Sequence, residues 1–277
     1  MSRLSCTLAA IIMLISVYGL IEPYWIEVRH VSIRDHPLAS ILERRVIVQL
    51  TDLHMTGIGR RERQVLNILD ALQPDIILLT GDYVQWHGDY GPALEFLSRL
   101  KAKVGVWAVM GDADYSRSRK SCLFCHAEGS GDPTTRHSVR FLRNSVERID
   151  LPAGRLVIAG TDVAKHRDNV ALKTFIDPIT EPALLLTHKP AAFEQIQDDR
   201  RFLVLAGDTH GGQVPVPDWL LRLLGFGNTV TYSEGLFVKG SAQMYVSRGI
   251  GTSRVPVRLF RRPEVTVFHF EPKGDGP

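Results

Sequence analysis

The first hydrophobic segment is uninterrupted: from Leu4 to Ile21 (LSCTLAAIIMLISVYGLI) no residue is charged, and Arg3 precedes it. A run of this length is just enough for a helix to cross a hydrocarbon layer of about 30 Å. No convincing small-x-small cleavage site lies near Tyr18–Glu22, and Cys6 stands ahead of the apolar core, too early for a lipoprotein cysteine. Residues 1–23 therefore read as a single-pass signal anchor, in preference to a cleaved signal or a buried core helix. Arg3 and the amino terminus face Arg29 and Arg34 across the segment, a nearly balanced count. The default for a short N-terminal tail keeps the tail inside and puts the domain outside the cytoplasm, in the periplasm.

Beyond the anchor the pattern changes twice. Residues 24–35 (YWIEVRHVSIRD) alternate apolar and polar, as a strand does. Short, wholly apolar runs then alternate with amphipathic stretches. VIVQLT (46–51), DIILLT (75–80) and VGVWAVM (104–110) have the length and β-branched content of buried strands. Between them RRERQVLNILDALQ (60–73) sets Val65, Ile68, Leu69 and Leu72 at helical spacing, and PALEFLSRLKA (92–102) reads as a second helix. RLVIAG (155–160), ALLLT (183–187) and FLVLAG (202–207) continue the series, and the last third, with MYVSRGIG and EVTVFHF, holds strands with little helix between them. Strand–helix alternation giving way to consecutive strands predicts an α/β core with a second sheet packed against it.

Composition alters this picture little. With 277 residues, 44% hydrophobic and free of repeats, the chain makes one soluble domain over residues 24–273. A formal charge of +3, with scattered basic residues, does not suggest a nucleic-acid partner. One basic cluster, Arg254, Arg258, Arg261 and Arg262, reads as a solvated strand face or as a site for an anionic substrate or lipid headgroup.

The chemistry gathers just past the C-terminal ends of the apolar runs, where open α/β sheets place their ligands. VIVQLT leads into Asp52-Leu53-His54, DIILLT into Gly81-Asp82, VGVWAVM into Gly111-Asp112-Ala113-Asp114, ALLLT into His188, and FLVLAG into Asp208-Thr209-His210-Gly211-Gly212-Gln213. A lone Asp or His at a strand end is usually a cap or turn residue, but five such ends in one chain point to a shared metal site. On an extended segment Asp-x-His would turn both side chains to one side. The glycines beside Asp82, Asp112 and Asp208 would let the backbone turn sharply. Carboxylate and imidazole donors without thiolates suit Mn, Fe, Zn or Mg rather than a structural zinc.

In order and identity, these five motifs, with Thr187-His188-Lys189-Pro190 as the fourth, resemble the series of the calcineurin-like metallophosphoesterases. The closing YVSRGIGTSRVPVRLFRRPEVTVFHF is similar to the C-terminus of that family's membrane-anchored bacterial branch. The resemblance implies a four-layer αββα sandwich, two divalent metal ions, and hydrolysis of a phosphoester by a metal-activated hydroxide. It implies one ion on Asp52, His54, Asp82 and His210, and a second on Asp82 and His188, with Asp82 and His210 central to catalysis.

Two motifs depart from the family pattern. Gly111-Asp112-Ala113-Asp114 stands where Gly-Asn-His-Asp is usual, and Gly207-Asp208-Thr209-His210 where Gly-His-Thr-His is usual. Asp112 and Asp208 both fall on the second ion and both can still ligate, which favours a re-tuned site over a decayed one. Two added carboxylates favour hard cations, Mn, Fe or Mg, over Zn. Ala113 replaces a histidine expected to assist the leaving group, a loss of about 10²–10⁴ in rate. The expected reaction is hydrolysis of a phosphodiester or a lipid-linked pyrophosphate; a pyrophosphate or nucleotide diphosphate, whose leaving group needs little protonation, tolerates that loss best, and His87 or His126 are candidate replacement donors.

Residues 116–138 read as an insertion beside the third motif. Within it Cys122-Leu-Phe-Cys125-His126 matches the attachment signature of a c-type haem, with His137 in reach as a second ligand. A disulfide-bonded loop or a small metal or redox clip fits the same residues. The expectation is a membrane-anchored, metal-dependent phosphoesterase acting on a phosphorylated small molecule or lipid. The alternative is a catalytically weak metal- or haem-binding sensor on the same scaffold.

Overall fold

The computed structural model of the chain describes residues 3–115, 124–125, 135–163, 169–223, 231–253 and 255–271. Helix α1 (Arg3–Ile21) covers the apolar N-terminal segment and leaves Leu8, Ile11, Leu14 and Ile15 exposed. By length and composition it can cross a bilayer.

Among the described residues the rest forms two six-stranded sheets. The first has the order β1 (Glu27–Arg34), β12 (Glu264–Glu271), β2 (Ile47–Leu50), β3 (Ile76–Leu79), β4 (Gly105–Ala108), β5 (Arg140–Phe141). The second runs β10 (Gly235–Lys239), β11 (Ala242–Val246), β9 (Phe202–Ala206), β8 (Ala183–Leu186), β7 (Gly154–Gly160), β6 (Ser145–Leu151). Each apolar run becomes a strand because both its faces are covered. Ile47, Ile76, Leu78 and Trp107 point inward against Ile158, Leu184, Leu203 and Leu205 of the facing sheet. Val48, Leu50, Ile77 and Leu79 point outward, under Val65 and Leu69 of α2 (Arg60–Leu72) and Phe96 and Leu97 of α3 (Gly91–Arg99). On the far side Val157, Leu185, Val204 and Met244 meet Leu172 and Ile176 of α4 (Asn169–Ile176). The layers are helix, sheet, sheet, helix, as expected. The strands the hydrophobic pattern missed, β5, β6 and β10, lie at or beside sheet edges and are only half-buried, so their sequences carry little apolar signal.

Register determines where the site forms. Leu50 pairs with Leu79 and Leu79 with Ala108, so β2, β3 and β4 end level with one another. In the other sheet Gly160, Leu186 and Leu205 are in register, and Ala206 pairs with Val246. Two buried polar bridges join these ends across the sandwich. Gln49 Nε2 donates to Thr80 Oγ1 and to the Ala206 carbonyl, both at 3.0 Å, and His188 Nδ1 donates to the Thr80 carbonyl at 2.8 Å.

The C-terminal end of α1 docks at this same end of the molecule. Its Gly19 carbonyl accepts the Arg258 N–H at 3.0 Å, Tyr18 lies against Phe260, and the buried Glu22 side chain accepts the Phe260 N–H at 2.7 Å.

Candidate metal centre

The loop after β2 does not continue as a strand. Asp52 and His54 have φ of 51° and 43°, so the extended geometry expected for Asp-x-His is not what brings them together. Instead the loop zips against its neighbour: Asp52, His54 and Met55 donate their N–H groups to the carbonyls of Gly81, Asp82 and Tyr83. Asp82, Asp208 and His210 also have positive φ. Five of the seven predicted ligands thus occupy a region costing an L-residue about 1–2 kcal/mol, tolerable only where surrounding contacts fix the backbone.

The glycines have a mixed explanation. Gly81 (φ 100°) turns the chain as expected. Gly111 and Gly207 are not in the left-handed region and are required for space. A Cβ on Gly111 would lie 2.1 Å from Asp82 Oδ1, and one on Gly207 would lie 2.5 Å from Asp52 Oδ2.

Five predicted ligands converge in two overlapping groups, Asp52 with His54 and His210, and Asp52 with Asp82 and His188, each with its ligand atoms within 4.8 Å of one another. All five are buried. The Nε2 atoms of His54 and His210 face each other at 3.1 Å. Asp82 turns one oxygen to each side: Oδ2 lies 3.5 Å from His54 Nε2, and Oδ1 lies 3.4 Å from His188 Nε2. Oδ1 is also held by the Ala113 N–H at 2.9 Å.

The donor set fits divalent ions. Because His188 Nδ1 donates to Thr80, the free lone pair of the neutral ring is on Nε2. That buried atom has no hydrogen-bond partner and points between Asp82 and Asp208, whose nearest oxygens are 3.4 and 3.5 Å away. Three acceptors aimed at one space suit a cation between them. Without one, charge is carried by protons. Against the opposing effect of burial, the carboxylates of Asp82, Asp208 and Asp52 push His188 well up. Burial tends to raise Asp82, but His188 and His54 outweigh it and hold the carboxyl well below its usual range. Burial pushes Asp52 up to about 7, and pushes His54 and His210 down, leaving two neutral imidazoles side by side.

The two departing positions lie at the rim. Asp208 is close to His188, as above. Asp112 bonds Lys189 Nζ through Oδ2 at 2.6 Å, and neither Asp112 nor Asp208 belongs to a converging group. Ala113 leaves a small cavity of about 110 Å³ beside His54 and Asp82, also lined by Trp86 and Ser253. His87 is exposed and does not line that cavity, so it is not placed to replace the missing proton donor.

Several residues here were not singled out from sequence. Asp114, quoted only as part of its motif, is a buried hub. Oδ2 accepts the N–H groups of Asp82 and Gly111, and Oδ1 accepts those of Tyr83 and, at 3.3 Å, Val84. Burial and Asp82 push its carboxyl up to about 8, against the pull of those N–H groups. Arg258 overturns the reading of the basic cluster as a strand face. It is fully buried, bonds the carbonyls of Arg248, Gly249 and Gly251, and brings Nη2 to 3.4 Å from His210 Nδ1. Arg262 packs over Trp25, Arg261 bonds the Gly211 carbonyl, and Arg254 lies outside the described residues. The only sequence signal for these roles is the density of Gly, Asp and Arg around the motifs.

Of the Cys-x-x-Cys-His, Cys122 and His126 lie outside the described residues, as does most of 116–138. Cys125 is disulfide-bonded. His137 is half-buried, and its Nδ1 accepts the Val139 N–H.

A family model of calcineurin-like phosphoesterases matches residues 45–142. The chain is 31% identical over 265 residues to the phosphodiesterase YaeI of Escherichia coli (strain K12), covering 89% of this chain and 88% of that one. It is 30% identical over 233 residues to the uncharacterized metallophosphoesterase YkoQ of Bacillus subtilis (strain 168), covering 80% and 82%. It is 26% identical over 283 residues to the UDP-2,3-diacylglucosamine pyrophosphatase LpxG of Chlamydia trachomatis serovar D, covering 82% and 84%.

Proposed function

The chain belongs to the calcineurin-like metallophosphoesterase family, and from that membership we propose that it hydrolyses a phosphodiester or pyrophosphate carried on a lipid. One observation carries the lipid part. A cavity of about 450 Å³ runs from His54 past Thr56, Gln85 and Arg61 to Tyr24 and Arg60. A second, of about 730 Å³, begins at the same Tyr24 and Arg60 and continues to Arg63, Trp25, Leu20 and Ile21. Through the shared Tyr24 and Arg60 they form a groove with one candidate ligand, His54, at one end and the end of the apolar helix at the other. A phosphoryl group at the ligands would leave an apolar tail lying toward the bilayer, with Arg60 and Arg63 beside any further phosphate or headgroup.

On this reading Asp52, His54 and His210 would hold one ion, and Asp82, His188 and Asp208 the other, with Asp82 shared. Asp112 would join the second set only if it left Lys189. Such a pair of ions, when bound, supplies a nucleophile from water at neutral pH and offsets the charge that develops on the phosphoryl oxygens. The carboxylate-rich second set favours Mn, Fe or Mg over Zn. The chain's own residues do the aiming. Thr80 fixes the ring of His188, and the Ala113 N–H fixes one oxygen of Asp82. Ala113 offers no proton, so the leaving group has to depart as a weak base, which suits a pyrophosphate. The similarity to a UDP-2,3-diacylglucosamine pyrophosphatase agrees with this.

The same reading makes α1 a signal anchor, with the domain in the periplasm. A disulfide at Cys125 agrees with an oxidising compartment.

The test uses the full chain in detergent, loaded with Mn, against a long-chain nucleotide-diphosphate lipid and a water-soluble aryl phosphodiester. Both should be hydrolysed, and replacing Arg60 and Arg63 by Ala should raise KM about tenfold for the lipid alone. Turnover of neither substrate, or equal effects of the variant on both, would overturn the proposal.

A further inference from the structure

The shortest charge contact at the rim of the centre joins two of the chain's own groups. Lys189 Nζ lies 2.6 Å from Asp112 Oδ2, the distance of a strong charge-assisted hydrogen bond. Lys189 follows His188 directly, so its ammonium is tethered beside the second ion's imidazole. Both partners are only half-buried, with side chains 48% and 33% exposed. The ammonium therefore has room to leave Asp112 without disturbing the core.

This contact matters because of what it denies an ion. An oxygen already bonded to an ammonium is a poor metal donor, and a divalent ion arriving there meets a neighbouring positive charge. Among the described residues the other group has no such competitor. Asp52, His54 and His210 have Arg258 close by, but that guanidinium spends its hydrogens on the carbonyls of Arg248, Gly249, Gly251 and Arg261 and bonds no carboxylate. The two positions thus differ in one respect that the ligand types alone do not reveal. One is free to fill, and the other holds a resident cation.

Building on the binuclear reading above, we propose that Lys189 is a tethered counter-ion of the second metal position. It keeps Asp112 engaged, so the first position fills at low divalent-ion concentration and the second fills only when an ion displaces the ammonium. The extra charge of Asp112 and Asp208 is thereby partly offset in the one-ion state and becomes available to the second ion on loading. The chain would pass from a one-ion to a two-ion form over a concentration range set by this single lysine.

The experiment is calorimetric titration of the metal-free full chain in detergent with Mn²⁺ alone, with bound metal counted by mass spectrometry. Wild type should show two separated events. Lys189→Met should tighten the second about tenfold and leave the first within twofold, while Lys189→Arg, which keeps the cation, should retain the separation. In an Asp112→Asn background Lys189→Met should have little further effect. A second event unchanged or weakened in Lys189→Met would overturn the counter-ion role while leaving the binuclear reading intact, as would an equal effect with and without Asp112. Failure of wild type and Lys189→Met alike to bind a second ion would overturn both.

Discussion

Adding a single methyl group at Gly111 tests whether the site is held as tightly as its contacts indicate. A Cβ there would sit 2.1 Å from Asp82 Oδ1 and 2.4 Å from Asp82 N, where real Cβ atoms essentially never come closer than 3.0 Å. Asp82 therefore has to retreat by roughly 0.9 Å at the carboxylate, or the Gly111 loop has to move as far. Neither shift is free. Oδ1 is fixed by the Ala113 N–H at 2.9 Å, and the Asp82 N–H is fixed by Asp114 Oδ2 at 2.9 Å. Overpacking of this kind costs about 1–3 kcal/mol, against a total stability of about 5–15 kcal/mol, so Gly111→Ala should stay folded. A displacement of about 1 Å at a reacting centre costs about 10²-fold in rate.

We therefore expect kcat/KM of Gly111→Ala on an aryl phosphodiester to fall about a hundredfold, with a parallel loss of bound Mn and a urea midpoint shifted only modestly. Gly57→Ala is the matched control, because nothing lies within 4 Å of its added Cβ. Activity of Gly111→Ala within threefold of wild type would refute the reasoning, since it would mean that Asp82 can yield without consequence.

Three further outcomes follow from the same contacts. Asp82→Ala should lose both metal and turnover, because its two oxygens face His54 and His188 separately; retention of two bound ions would rule out a shared carboxylate. Asp114→Asn, unfolded in urea at pH 9 where the carboxyl is ionised, should lose about 2–6 kcal/mol. An amide NH₂ would face two backbone N–H groups, each costing about 1–3 kcal/mol when left without an acceptor, and a loss below about 1 kcal/mol would refute the hub. Burial pushes His36, outside the metal centre, down to about 4 from an ordinary value of 6.5. Between those values the unfolded chain takes up a proton that the native state refuses, so stability falls as pH drops through 6.5, by about 2 kcal/mol at pH 5. His36→Gln should flatten the change in urea midpoint between pH 7 and pH 5, and identical slopes in variant and wild type would refute this.

Much of the architecture was legible because both sheets have covered faces. VIVQLT, DIILLT, ALLLT and FLVLAG had to be apolar on both sides, and such runs can be recognised without knowing their neighbours. β6 and β10 alternate half-buried and exposed residues, so they resemble surface loops until a partner strand is in place. The candidate ligands were legible for a related reason: register places strand ends level, so residues just past them converge whatever the loops do. The geometry within the loops was not legible. Asp-x-His suggested an extended pair, yet both residues are left-handed, because the 52–55 backbone is committed to the carbonyls of 81–83. The same holds for charge. Counting ligand types made the second position more anionic by two units, but whether an ion meets that charge depends on where a side chain points. The contact of Lys189 with Asp112 joins residues 77 positions apart on different sheets. Three of the four bonds of Asp114, those from Asp82, Tyr83 and Val84, exist only once the ends of β3 and β4 lie side by side. A motif can name the donors of such a centre, but the groups that brace and neutralise those donors are chosen by the tertiary structure.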